Sequence, residues 1–86
     1  MVIIMKRKTD LQNYKLYYRN FLNKKLLFSL KAVSENSALN RINEIIKFSY
    51  GRSLCEKFGY KKIIITCNDV EIINCDINTY FNKIGI

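Results

Sequence analysis

Lys15, Tyr17 and Arg19 stand at alternate positions of a stretch whose other members, Tyr14, Leu16 and Tyr18, are apolar or aromatic. In an extended strand alternate side chains leave on the same face, so this spacing sets one aromatic ring between two cations. That arrangement suits single-stranded RNA or DNA, with bases stacking on the ring and phosphates pairing with the charges. Ser29 and Lys31 alternate in the same way on the next strand-like segment, and Lys24 and Lys25 in the intervening loop extend the basic track. A solvated sheet face is also filled with Lys, Arg and Tyr for structural reasons alone.

Other chemistry finds little footing. General acid-base or nucleophilic catalysis needs a positioned base beside a nucleophile, or two carboxylates in one cleft, and the chain has no histidine. Its seven acidic residues are scattered, with Asp69 suited to a turn, Glu35 and Asp76 to helix starts, and Glu44 and Glu56 to helix surfaces. A Ser29 and Lys31 pair lies on alternate strand positions with nothing to orient it. Gly51, Gly59 and Gly85 are too far apart for a phosphate-cradling loop. Cys55, Cys67 and Cys75 include no Cys-x-x-Cys pair and match no zinc-site spacing. Their odd number argues against a disulfide scaffold and for a reducing compartment. The expectation is a non-catalytic chain without metal or cofactor.

Fifteen Lys and Arg against seven Asp and Glu give a formal charge of +8 over 86 residues. Such a balance is the footprint of a protein that meets phosphate backbones, acidic proteins or anionic surfaces. The abundance of Ile, Lys, Asn, Tyr and Phe also matches AT-rich codons, which raise lysine without any partner. With 49% hydrophobic residues, three glycines and no proline, the length fits one small domain.

The N-terminal residues Met-Val-Ile-Ile-Met-Lys-Arg-Lys place apolar residues before basic ones, the reverse of a secretory signal, and the apolar run is too short to span a bilayer. Residues 1–12 read as a basic tail, with Met5 an alternative start, ahead of a domain over residues 13–86. A cytoplasmic location without membrane contact is expected.

Periodicity then supplies the elements that position the candidate residues. Alternation over Asn13 to Phe21 and over Leu26 to Val33, interrupted by polar turn formers, predicts a hairpin with Tyr14, Leu16, Tyr18, Leu26, Phe28, Leu30 and Ala32 facing inward. From Ser34 to Tyr50 the period becomes helical, with Ala38, Leu39, Ile42, Ile45 and Ile46 on one face, Ser34 as N-cap and Gly51 as a left-handed stop. Ser53-Leu-Cys-Glu56 has capping-box spacing and Gly59 ends a short second helix. Tyr60 to Cys67 and Val70 to Cys75 form a hairpin about Asn68 and Asp69, and Asp76 caps a last helix with Ile77, Tyr80, Phe81 and Ile84 inward. The prediction is an α+β domain in the order β-β-α-(short α)-β-β-α, two antiparallel hairpins forming a four-stranded sheet with the central helix on one face.

A two-residue turn at Asn68 and Asp69 sets Ile65 opposite Ile72 and Ile64 opposite Ile73, which sends Ile64 and Ile73 away from the core face. Such residues need a cover: the last helix, a dimer mate, or a partner protein docking beside a sheet edge. This supports a rival to nucleic-acid or nucleoprotein binding, in which a small phage-type or mobile-element protein inhibits or adapts a host protein complex through its sheet face or edge.

The stretch Phe28-Ser-Leu-Lys-Ala-Val-Ser-Glu-Asn-Ser-Ala38, followed by the helix and by Tyr60-Lys-Lys-Ile-Ile-Ile65, is similar in rhythm to archaeal ribosomal protein LX. The similarity covers about Tyr14 to Ile73 and implies a strand-helix-strand protein that contacts ribosomal RNA. Members of that family carry a Gly-Ser-x-His segment and a Lys-Arg stretch after the main helix. This chain has Gly51-Arg-Ser and no histidine, so no functional residue is carried over.

Overall fold

The structure, a computed structural model, describes residues 11–86. Strands β1 (Gln12–Arg19) and β2 (Lys24–Ala32) form the first hairpin, and β3 (Lys62–Cys67) and β4 (Val70–Asp76) the second. Between them lie helices α1 (Glu35–Ser49) and α2 (Arg52–Phe58), and α3 (Ile77–Ile84) follows β4. The strands make one antiparallel sheet in the order β2-β1-β3-β4, which joins the hairpins through β1 and β3. The expected α+β architecture is therefore present. The basic tail falls on residues outside those described, apart from Leu11, which is exposed, and Gln12, which belongs to β1 and pairs with Ala32.

One face of the sheet carries the helices. Tyr14, Leu16 and Tyr18 of β1 and Ile63 and Ile65 of β3 are buried with Ala38, Ile42 and Ile46 of α1 and with Ile77, Tyr80 and Phe81 of α3. Helix α1 packs on β2, and α3 covers β3 and β4. Tyr18 lies at the centre, edge-on to Tyr50, Tyr60 and Phe81, and its hydroxyl donates to the Tyr50 carbonyl at 2.7 Å. Edge-to-face pairs of this kind add about 0.5–1.5 kcal/mol each beyond the area they bury. Four aromatic rings thus fix the junction where β1, the end of α1 and the start of β3 converge.

Two β-bulges change the expected register. Leu16 opposes Phe28 while Tyr17 opposes Leu26, so Leu27 is the extra residue, and Leu26 leaves the helix-side face for the other one. In the second hairpin Cys67 opposes Val70 as expected, but a shift between Ile65 and Thr66 sets Ile65 against Ile73 and Ile64 against Asn74. Ile73 accordingly joins the helix-side cluster, and Cys75 opposes Ile63. Because cross-strand partners share a face, one extra residue moves every later side chain to the opposite side.

The chain termini of the helices follow local chemistry. The Ser34 hydroxyl accepts from the Ser37 N–H, and the Asp76 carboxylate accepts from the Asn78 and Thr79 N–H groups. Asn68 and Asp69 have φ of 51° and 70°, the left-handed pair that a tight hairpin turn requires. Gly59 ends α2 at φ 68°. Gly51 differs from expectation: at φ −84° it is the extended N-cap of α2, so α1 ends at Tyr50 without a left-handed residue. Helix α2 then begins before Ser53, and no capping box forms.

Candidate nucleic-acid interface

The face opposite the helices carries Lys15, Tyr17 and Arg19 of β1, as their spacing predicts. Across from them on β2 lie Ser29, Leu26 and Lys24, with Lys31 opposite Asn13. Lys25 opposes Tyr18 and so belongs to the helix-side register, away from the track. Lys15 donates to Asp69 at 3.2 Å, an ion pair between the two hairpins, and Lys24 holds its ammonium 4.7 Å from the centre of the Tyr17 ring. On β3 the residues of this face are Lys62, Ile64 and Thr66, since they pair with Arg19, Tyr17 and Lys15. Ile64 is only 2% exposed and Thr66 5%, although Ile64 stands apart from the helix-side cluster. The middle of this face is therefore not a bare platform, and Arg19, Lys24, Lys31 and Lys62 are its exposed cations.

A second constellation lies at the end of the sheet where the β1–β2 turn meets the α2–β3 connection. The side-chain oxygen of Asn20 accepts from the N–H groups of Leu22 and Asn23, both at 2.9 Å, which closes the turn. Its amide nitrogen donates to the Phe58 carbonyl at 3.2 Å, and the Lys61 N–H donates to the Arg19 carbonyl at 2.8 Å. One asparagine thus ties the β1–β2 turn to the end of α2. Between them is a cleft of about 760 Å³ lined by Arg19, Asn20, Phe21, Leu22, Phe58, Gly59, Lys61 and Lys62. Phe21 is 98% exposed and Leu22 89%. Phe58, tilted 38° against Tyr60 at 5.9 Å, is half exposed. On the other side of the turn a smaller hollow of about 310 Å³ has Arg19, Lys24, Ile64 and Asn74 among its walls.

Arg19 borders both hollows and so joins the cations of the sheet face to those of the cleft. Among the described residues the one ion pair is Lys15 with Asp69. Arg19, Lys24, Lys57, Lys61 and Lys62 are all exposed. Arg52, in contrast, is half-buried with its donors engaged: its guanidinium donates to the Ile86 carbonyl, Asn78 and Asn82, and lies 5.4 Å from the centre of the Phe81 ring. The sequence reading missed Phe21, Leu22, Phe58, Lys61 and Lys62. Two large apolar residues between turn-forming asparagines were the available signal.

Among the described residues no group of three or more His, Cys, Asp and Glu is placed to hold a metal ion, and no helix is long and apolar enough to cross a membrane. No protein-family model, curated protein or solved structure matches the chain, so the likeness in rhythm to ribosomal protein LX gains no further support.

Proposed function

We propose that this protein is a small, non-catalytic binding module for nucleic acid, with RNA or another single strand favoured over duplex. The observation that carries the reading is the convergence of Arg19, Lys24, Lys61 and Lys62, exposed and outside any ion pair among the described residues, at one end of the sheet beside Tyr17, Phe21 and Phe58. Cations supply the sequence-independent attraction to phosphate, and rings supply stacking surface for any base. Anisotropy titration of a labelled single strand against salt tests it. Log K should fall by about 0.7 per phosphate neutralised for each decade of salt, and no binding at low salt would end the reading.

One observation favours the rival. Strand β2 is an outer strand of nine residues whose far edge has no partner strand among the described residues, and Leu26 is half exposed on it. Such an edge can take an added strand from a host protein or a second copy. Ile64 sits on the inner strand β3 and Ile73 on the helix side, so neither stands on that edge. Affinity purification followed by nuclease separates the readings: a protein that stays bound after digestion supports the rival.

A further inference from the structure

We propose that the cleft between the β1–β2 turn and the α2–β3 connection stacks an unpaired base of a single strand on Phe21, while Arg19, Lys61 and Lys62 take the flanking phosphates. The inference rests on the nucleic-acid reading and narrows it to one site and one kind of strand.

The turn has no conformational need for its apolar residues. Asn20 satisfies the N–H groups of Leu22 and Asn23, and the Asn20 N–H donates to the Asn23 carbonyl at 3.0 Å. Polar residues at positions 21 and 22 would close it equally well. Leaving Phe21 98% in water instead forgoes the gain that burying a ring brings. The turn is also anchored through Asn20 to the end of α2, so the ring is presented with little ordering left to occur on binding. Phe58, backed by Tyr60, offers a second ring on the far wall.

The charges choose the occupant. No acidic residue lines the cleft among the described residues, and three cations do. They continue through Arg19 onto the sheet face, where Lys24 follows in a hollow that also holds one carboxylate, Glu71, so cations still outnumber acids along the track. A polymer with a charge at every unit matches a track that runs past the cleft, and a sequence-tolerant ring matches bases of any kind. An acidic peptide would meet the cleft but would leave the track beyond it without a counterpart.

The test titrates a fluorescent oligouridine of about ten nucleotides, within the usual span of single-strand sites, at low and moderate salt. Phe21→Ala and Phe21→Leu should each weaken binding by about 5- to 100-fold with the salt slope unchanged, since stacking and not charge is removed. Phe21→Trp should bind as the parent does, with its indole emission quenched. If the parent fails to bind, the broader nucleic-acid reading falls, and this site with it. If the parent binds and Phe21→Ala binds equally, the stacking site alone is overturned. If Phe21→Leu binds like the parent while Phe21→Ala does not, the contact is apolar without stacking, and the proposal also fails. An acidic phenylalanine-bearing peptide that binds the parent, loses affinity in Phe21→Ala and is not displaced by the oligonucleotide would assign the cleft to a protein instead.

Discussion

Lys24 places its ammonium 4.7 Å from the centre of the Tyr17 ring, across the first hairpin. The cation and the ring therefore already serve one another, at a gain of about 0.5–1 kcal/mol for an exposed pair. A base can reach that face of Tyr17 only by displacing Lys24, which then becomes free to meet the neighbouring phosphate.

Lys24→Gln should accordingly change stability by less than about 1 kcal/mol and lower the salt slope of single-strand binding by about 0.7, one phosphate's share. Urea melts and salt-titrated anisotropy on the same variant supply both numbers. An unchanged slope would mean that Lys24 stays on the ring in the complex.

Tyr18 tests the junction beneath the site. It is fully buried, edge-on to three rings, and donates to the Tyr50 carbonyl. Tyr18→Phe keeps the packing and removes the hydrogen bond, so it should cost about 0.5–1.5 kcal/mol. Tyr18→Ala opens a cavity and should cost about 3–5 kcal/mol, most of the stability of so small a domain. Equal losses from the two variants in chemical denaturation would place the energy in the hydroxyl and contradict the packing account.

Asn20 fixes the geometry of the proposed site without lining it by charge or ring. Asn20→Ala removes two bonds inside the turn and one to the Phe58 carbonyl. At about 0.5–1.5 kcal/mol net for each bond, and with exposed groups regaining water, a total near 1–2 kcal/mol is expected. Amide exchange at Leu22 and Asn23 should rise sharply, while exchange in the core strands rises only by the global loss. Phe21→Ala, at a solvent-exposed position, should stay within about 0.5 kcal/mol of the parent. Unaltered exchange in Asn20→Ala would show that the turn is held by its backbone alone.

The elements were legible because each announces itself by period: two-residue alternation around Tyr14, Leu16 and Tyr18, helical spacing through Ala38, Ile42 and Ile46, and turn chemistry at Asn68 and Asp69. The bulges were not. Each falls where two apolar residues adjoin, Leu26-Leu27 and Ile72-Ile73, so either register keeps an apolar residue inward and alternation cannot choose between them. That ambiguity misplaced Leu26 and Ile73. The track of Lys15, Tyr17 and Arg19 was legible as one face because no bulge interrupts β1 relative to β3. The cleft was hidden for another reason: its walls, Phe21 of the β1–β2 turn and Phe58 at the end of α2, are brought together by the Asn20 side chain, a contact 38 residues apart in sequence.

Alkaline pH should weaken the fold through Cys55. Burial among apolar neighbours pushes its thiol up to about 11 from an ordinary value of 9.0, with Arg52 pulling the other way and Glu56 adding to the rise. Below about pH 9 the thiol is protonated in both folded and unfolded chains and contributes nothing to the pH dependence. Between 9 and 11 the unfolded chain ionises and the folded chain does not, so the unfolded state gains and stability falls as pH rises. Two units at about 1.36 kcal/mol each set a loss on the order of 2–3 kcal/mol by pH 11. Burial also raises the hydroxyls of Tyr18 and Tyr80, which extends the decline upward in pH. Cys55→Ala should therefore show a flatter fall in melting temperature from pH 9 to 11, with the tyrosine-driven fall that sets in near pH 10, the ordinary tyrosine value, retained. At neutral pH the buried thiol should react with a disulfide reagent more slowly than the half-buried Cys67 and Cys75. A parent and a Cys55→Ala variant that lose stability in parallel across that window would show that Cys55 ionises as readily folded as unfolded.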